Sequence, residues 1–356
     1  MAVAGLEIQN LRSISHIHLK AGRRWNWLIG NNGVGKSTVL EAIHLLGTGQ
    51  SWRHGHRQLV QEGCNAYLVR IAILDQEDSI AWLGMHRQGD AREIRFDGRR
   101  VDSAWELLDL LPIQAWHEGN AHFASAPAEE RRRILDWGVY YADRSYGRLL
   151  QEYRRALQQR NAALRQHQDP HTWDAPLARL GEEIHKRREI HLDAITPFLE
   201  KIWDSSPQKD VQLGISLQKG WTESLSLIDA LRRGMETDQE GAFTHSGPHR
   251  ARLVFRSDGK NAADVFSRGQ LRLAGISFRL AQMAVYRDAG HPLPVVLIDD
   301  FANDLDMAAQ HWWMEHLDLL CAQVFAATTN SGYADQRAED HHFYLHGGQL
   351  MKGKAL

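Results

Sequence analysis

The residues Gly30-Asn31-Asn32-Gly33-Val34-Gly35-Lys36-Ser37 fill every fixed position of the pattern G-x-x-x-x-G-K-[ST], and nothing else in the chain limits its possible folds so sharply. The pattern works only between a strand and a helix, and both flanks are present. The apolar run Trp25 to Ile29 reads as a buried strand. After the loop, Val39, Leu40, Ile43, Leu45 and Leu46 mark one face of a helix, which Gly47 and Gly49 end. Glycines at this turn let the backbone curl so that successive N–H groups point at phosphate oxygens. The helix start adds the positive end of its dipole. Lys36 then reaches the β- and γ-phosphates of ATP, and the Ser37 hydroxyl is placed to ligate Mg²⁺. Gly30 to Ser37, with Thr38 beside them, are the candidate nucleotide-binding residues. Glu41 and Ile43 read as surface and packing residues.

A second segment belongs to the same chemistry. Pro294-Val295-Val296-Leu297-Ile298 runs straight into Asp299-Asp300. A continuous apolar run suits a central parallel strand buried on both faces. Its carboxyl end is where open α/β sheets hold their ligands. Asp299 is expected to hold Mg²⁺, directly or through water. Asp300 is expected to orient or deprotonate the attacking water, and Lys36 completes the catalytic set. Asn303, Asp304, Leu305 and Asp306 follow as an acidic loop.

The rest of the chain alternates in character. Leu6, Ile8, Leu11, Ile14, Ile17 and Leu19 recur in loose alternation, and further strand-like pieces lie at Tyr67 to Leu74, Ser79 to Met85 and Arg92 to Phe96, the last before an Asp97-Gly98 turn. From about Ser103 to Arg233 the pattern is mainly helical. Arg144 to Gln168 reads as one helix and Gly181 to Glu200 as another, with breaks at Pro170, Pro176 and Pro197. Thr237 to Pro248 is polar and turn-rich. Strand-like segments return at Leu253 to Phe255, Val295 to Ile298, Val324 to Ala327 and Phe343 to Leu345. The fold class expected is therefore α/β, one domain interrupted by a helical lobe. Residues 1–105 and 246–356 make the first lobe, and 106–245 the second.

Composition excludes several classes. The two cysteines, Cys64 and Cys321, lie far apart and outside any metal-ligand spacing, which fits neither a disulfide framework nor zinc and points to a reducing, cytoplasmic setting. No window approaches a membrane span, so no membrane partner is expected, and the first residues lack the basic-then-apolar order of a secretory leader. A net charge of −2 argues against coating nucleic acid by bulk charge, so such contact needs a local patch.

Val265-Phe266-Ser267-Arg268-Gly269-Gln270 precedes a helix with Leu273, Ile276, Leu280 and Met283 on one face. Alone, Ser267 is a good helix N-cap. The order of phosphate loop, Ser267 to Gln270 and Asp299-Asp300 resembles the Walker A, signature and Walker B order of ABC ATPases. In that superfamily the signature serine contacts the γ-phosphate bound by a partner's loop, so Ser267, Gly269 and Gln270 join the candidate nucleotide-binding residues. Roughly 260 residues separate Lys36 from Asp299, too few for an SMC coiled coil and more than transporter ATPases use.

The whole chain resembles the RecF family. Asn10-Leu11-Arg12 is similar to its N-F-R element, Leu40-Glu41-Ala42-Ile43 to L-E-A-I, and Ser51-Trp52-Arg53 to S-F-R. Pro127, Arg131-Arg132, Leu135 and Asp136 fit P-x-x-R-R-x-x-L-D; Tyr153, Leu157, Arg160 and Asn161 fit Y-x-x-x-L-x-x-R-N; Gly247-Pro248-His249-Arg250 matches G-P-H-R. The sequence departs where it has His117-Glu118-Gly119 for P-E-D, and Ala251-Arg252 for two acidic residues after G-P-H-R.

The resemblance implies an ABC-type P-loop ATPase head with a mixed sheet, Arg12 at the nucleotide, and Gln114 as the nearest Q-loop candidate. It implies an ATP-dependent homodimer that binds double-stranded DNA or a single-strand/duplex junction, a weak DNA-stimulated ATPase, and RecR- and RecO-like partners in recombinational repair, replication restart and the SOS response. Two other readings share the loop: the ATPase subunit of an anti-phage nuclease system, and a small-molecule kinase. The clusters Arg131 to Arg133, Arg154-Arg155, Arg160, Arg165, Lys186 to Arg188 and Arg232-Arg233 are read either as a phosphate-tracking surface or as solvated helix faces with pairs such as Glu183 and Arg187. Most of the tryptophans are expected in the core.

Overall fold

In the computed structural model the described residues are 2–53, 56–74, 79–117, 122–301, 303–330, 332, 337 and 339–351; Glu118 and Gly119 lie outside them. The chain opens with β1 (Ala2–Leu11), β2 (Ile14–Lys20), β3 (Trp25–Ile29), α1 (Lys36–Thr48), β4 (Ala66–Leu74), β5 (Ile80–Gln88), β6 (Ala91–Phe96), β7 (Arg99–Arg100), α2 (Ala104–Leu110) and β8 (Ile113–Trp116). It continues through α3 (Ala128–Ala142), α4 (Ser145–Arg165), α5 (Asp174–Asp204), β9 (Gly214–Gln218), α6 (Leu227–Arg233), α7 (Met235–Gly241), β10 (Arg252–Ser257), β11 (Lys260–Asn261), α8 (Ala262–Val265) and α9 (Arg268–Asp288). It ends with β12 (Val295–Ile298), α10 (Met307–Leu320), β13 (Gln323–Thr328), β14 (His341–His346) and β15 (Gln349–Leu350).

These elements form two compact units, 1–121 with 291–356, and 122–290. The boundaries differ from those read in the sequence. Residues 106–121 belong with the first unit because β8 pairs in parallel with β12. Residues 246–290 belong with the second, because β10 pairs with β9 and β11 in a separate antiparallel sheet. The element starting at Ser267 goes with them.

The first unit has two sheets. One is antiparallel, in the order β2-β1-β4-β5-β6-β7, and its last hairpin turns at Asp97-Gly98, both at positive φ (46° and 78°), as a two-residue turn between twisted strands requires. The other has the order β15-β14-β3-β13-β12-β8, parallel from β14 to β8. Helix α1 packs on strands of both sheets. Its residues Val39, Leu40, Ile43, Leu45 and Leu46 have no exposed surface, and each contributes about 2 kcal/mol by burial. That outweighs the missing side-chain cap at Gly35, worth about 1 kcal/mol. Gly47 lies within α1 and is no terminator; a Cβ there would fall 2.3 Å from Ile113 of β8, so the helix needs glycine to approach the sheet. Gly49 is the cap, at φ 72°.

In the second unit α5 runs for 31 residues straight through Pro197, which the sequence reading had as a break. Pro176 falls in its first turn, where the missing N–H has no intrahelical partner to lose. Part of the turn-rich stretch after Thr237 is the short helix α7. Two of the arginines grouped into basic clusters point inward. Arg160 has no exposed surface and binds Asp174 (2.8 Å), Asp238 (2.6 Å) and Thr244 (2.8 Å). Arg188 grips both oxygens of Asp136 (2.8 and 2.9 Å) and donates to the Pro248 carbonyl (2.8 Å). Neither can track phosphate on a surface. Glu183 and Arg187 do pair, at 2.8 Å.

Two histidines of this unit, the half-buried His249 and the buried His191, also lie largely out of reach of bulk water. His249 lies 2.6 Å from the Tyr153 hydroxyl and 3.0 Å from the Thr244 carbonyl. A carbonyl only accepts, so Nε2 carries the proton and Nδ1 accepts from Tyr153. Burial pulls the pKa of His249 and of His191 down from 6.5 to about 4. Both stay neutral in the folded state down to that pH, while the unfolded chain takes up protons near 6.5. The unfolded state binds more protons in this window, so stability falls as pH drops through it. Between pH 7 and pH 5 each histidine should cost about 2 kcal/mol. Urea unfolding of His249→Gln at the two pH values should show a smaller loss than the native sequence; an equal loss excludes His249 as a source.

Candidate nucleotide-binding site

The phosphate loop joins β3 to α1. Gly30 is at φ 157°, and a Cβ there would lie 2.5 Å from the Leu345 carbonyl oxygen. Gly35 caps α1 at φ 107° without a side-chain hydrogen bond. Asn31, Asn32 and Gly33 are exposed, Val34 is half-buried, and Thr38 is buried inside the first turn. Lys36 is only 5% exposed, and its ammonium donates to the carbonyls of Gly30 (2.8 Å) and Asn31 (2.9 Å). Burial lowers its pKa, against the attraction of Asp300 and Asp299.

The acidic pair reaches this loop through the sheet. β13 lies between β3 and β12, with Ala326 opposite both Trp27 and Ile298. The Asp299 amide donates to the Trp116 carbonyl at 2.8 Å. The Asp299 carboxylate then accepts from the Ser37 hydroxyl (2.9 Å) and from Arg53 (2.9 Å). Burial raises its pKa; the Ser37 hydrogen bond lowers it, Asp300 raises it further, and Arg53 and Lys36 lower it.

Asp300 is exposed and sits at φ 55°, a region that aspartate tolerates better than most residues and that recurs at functional sites. The next residue explains the conformation. Phe301 turns back into the core, donates its amide to Ala327 (3.0 Å), stacks on Trp313 (5.2 Å) and meets Trp27 edge-on (5.3 Å). Trp25 and Trp27 stack on each other at 5.0 Å. Six tryptophans, Trp25, Trp27, Trp116, Trp203, Trp312 and Trp313, are buried.

Glu41 corrects the sequence reading. It has no exposed surface and receives Arg12 at 2.9 and 3.1 Å as well as the Ser51 hydroxyl. Arg12 is thereby fixed one turn of α1 from the phosphate loop. Sequence reasoning also missed Arg53, whose only signal was the Ser51-Trp52-Arg53 element. Between these residues Trp52 packs on His117 (5.1 Å) and His44 (4.9 Å). Gln114 is buried mid-strand opposite Val296, and so stops short of the strand end where Asp299 lies.

Ser267, Gly269 and Gln270 lie in the second unit. Ser267 is exposed and caps α9 in a reciprocal box: its hydroxyl accepts from the Gln270 amide (3.3 Å) and its amide donates to the Gln270 side chain (2.8 Å). Gln270 donates onward to Gln208 at 3.0 Å.

This donor set fits a magnesium–triphosphate. A serine hydroxyl and a carboxylate side by side are the oxygen ligands Mg²⁺ accepts. A buried lysine beside an uncapped helix start suits phosphate.

The family model for the RecF/RecN/SMC N-terminal domain matches residues 2–345. The DNA replication and repair protein RecF of Thioalkalivibrio sulfidiphilus is 33% identical, with 99% of this chain and 100% of that protein covered. RecF of Erwinia tasmaniensis is 33% identical over 92% of this chain and 91% of its own. A solved structure of the recombination mediator RecF with ATP, from the RecFOR pathway, has the same fold, with a TM-score of 0.84 at 22% identity over 99% of this chain and 97% of that one.

The Arg12–Glu41 pair should be energetically coupled. A double-mutant cycle of Arg12→Met and Glu41→Gln, read by urea unfolding, should give a coupling of about 1–3 kcal/mol. Additive losses would show that the pair contributes nothing as a pair.

Proposed function

The chain belongs to the RecF family of DNA replication and repair proteins, and on that premise we propose that it is an ATP-controlled DNA-binding switch. The observation that carries the reading is the Ser37–Asp299 contact at 2.9 Å beside the buried Lys36. Gly30 to Thr38 hold the triphosphate, with Lys36 on its β- and γ-oxygens. Ser37 and Asp299 would hold Mg²⁺, which would supply neutralisation of the phosphate charge. Binding it requires Asp299 to exchange part of its contact with Ser37 and Arg53. Asp300, exposed at the end of the strand, orients the attacking water. Arg12, steadied by Glu41, faces the nucleotide.

The loop supplies half of the site. Ser267, Gly269 and Gln270 of a second copy supply the other half, because an exposed hydroxyl at a helix start is suited to a γ-phosphate. ATP binding and dimerisation then become one event, with two-fold symmetry and two sandwiched nucleotides. The dimer holds duplex or gapped DNA, hydrolysis releases it, and RecO- and RecR-like proteins use the held state to load recombinase.

Two substitutions test the order of events. Asp300→Asn should slow hydrolysis about a hundredfold or more and accumulate an ATP-dependent dimer by sedimentation. A variant that binds ATP yet stays monomeric overturns the switch. Lys36→Ala should lose ATP binding, dimerisation and ATP-dependent DNA binding together.

A further inference from the structure

We propose that the second unit carries a groove for single-stranded nucleic acid, built from Trp221, Phe243, Arg250 and Arg252. The groove encloses about 750 Å³ and is lined by these residues together with Lys219 and His245. It exists because two segments meet closely. Gly220 is at φ 87°, and a Cβ there would fall 2.3 Å from the Gly247 carbonyl oxygen. Glycine therefore lets residues 219–221 lie against 247–251, where the Gly220 carbonyl accepts from the Gly247 amide at 3.1 Å.

Aromatic faces and cations alternate along this groove. Phe243 is 38% exposed; the Arg250 guanidinium lies 5.0 Å over its ring, and His245 packs against it at 4.0 Å. Lys219 lies over Trp221 at 5.1 Å and is tied to the carbonyls of Glu223 (2.7 Å) and Leu225 (3.2 Å), which fixes that ring. Arg250 and Arg252 are both exposed, and neither makes an ion pair among the described residues. Burial lowers the pKa of Arg131, and repulsion from Arg252 lowers it further. The carboxylates here are taken up by other partners than Arg250 and Arg252. Asp238 is committed to Arg160 and His245, and Glu223, which also lines the groove, pairs with Lys219 at 3.8 Å.

An exposed Phe243, a half-buried Trp221 and two exposed arginines without an ion pair among the described residues suit an unstacked strand, with bases on the rings and phosphates on the guanidinium groups. A duplex hides its base faces, and acidic side chains carry no aromatic face to stack on Phe243. The proposal rests on the reading that this chain binds DNA, but not on ATP or dimerisation.

The test is fluorescence anisotropy of a labelled oligothymidylate with the full-length protein and no nucleotide. Phe243→Ala should weaken binding about fivefold or more, the effect of losing one stacked base. Arg252→Glu should weaken it about tenfold and reduce the salt slope by about one. Both positions are exposed, and unchanged thermal melting verifies the fold. Blunt duplex binding with ATP should be unchanged in both. Native-like oligothymidylate binding by the two variants overturns the groove. So does a native protein that binds duplex with ATP but no oligothymidylate, which leaves the switch standing. Failure to bind any DNA overturns both. Polyglutamate that competes as well as oligothymidylate overturns the assignment to nucleic acid in favour of an acidic-protein site.

Discussion

The hydrogen bond from Ser37 to Asp299 joins residues 262 positions apart, and the architecture of the first unit is what makes it possible. The two residues meet only if β3 and β12 end at the same level, one strand apart. β13 sets that level by pairing in register with both. Every residue between α1 and β12 must leave and return without disturbing this alignment. A separate second unit, with its own sheet and its own buried ion pairs, is a physical solution to that demand.

The same contact organises the charges. Asp299 is buried, and a buried carboxylate is costly without partners. Ser37 and Arg53 supply two hydrogen bonds, and Lys36 supplies further positive charge. Two segments, Lys36-Ser37 and Arg53, thus converge on a carboxylate 262 and 246 positions further on. Glu41 repeats the arrangement one turn further along α1, with Arg12 and Ser51 as its partners. Asp300 has no such enclosure. Phe301 is drawn into the tryptophan layer, and the backbone turn this forces leaves the Asp300 side chain exposed. One strand end therefore presents two carboxylates in different environments.

What could be read from the sequence follows from how local each signal is. The phosphate loop, α1 and the apolar run of β12 carry their patterns within a dozen residues, and all are found where periodicity placed them. Arg53 and Glu41 carry none. A serine–tryptophan–arginine triplet says nothing about a carboxylate 246 residues away. A glutamate on a helix reads as surface until its partner is known, because unpaired charges are seldom buried. Pro197 misleads for the opposite reason: a strong local rule is overridden by the packing of both flanks of α5. Strand β9 is short and half-exposed, and its pairing with β10 becomes visible only in three dimensions.

The arginines of the second unit show why charge alone is ambiguous. Arg160 and Arg188 look in sequence like Arg154 or Arg165, which are exposed. Their acceptors, Asp174, Asp238 and Asp136, come from other elements. Such buried pairs rarely add much stability over apolar residues of the same size, but each fixes geometry. Here they fix the backbone around Thr244 to Pro248, through Thr244 itself and the Pro248 carbonyl. His249 and Tyr153 close the same loop from below. Arg250 and Arg252, just beyond, are then held at the surface without an ion pair among the described residues. Inward arginines set the position at which the outward ones meet solvent, so the basic character of this unit is divided between buried scaffold and exposed surface, residue by residue.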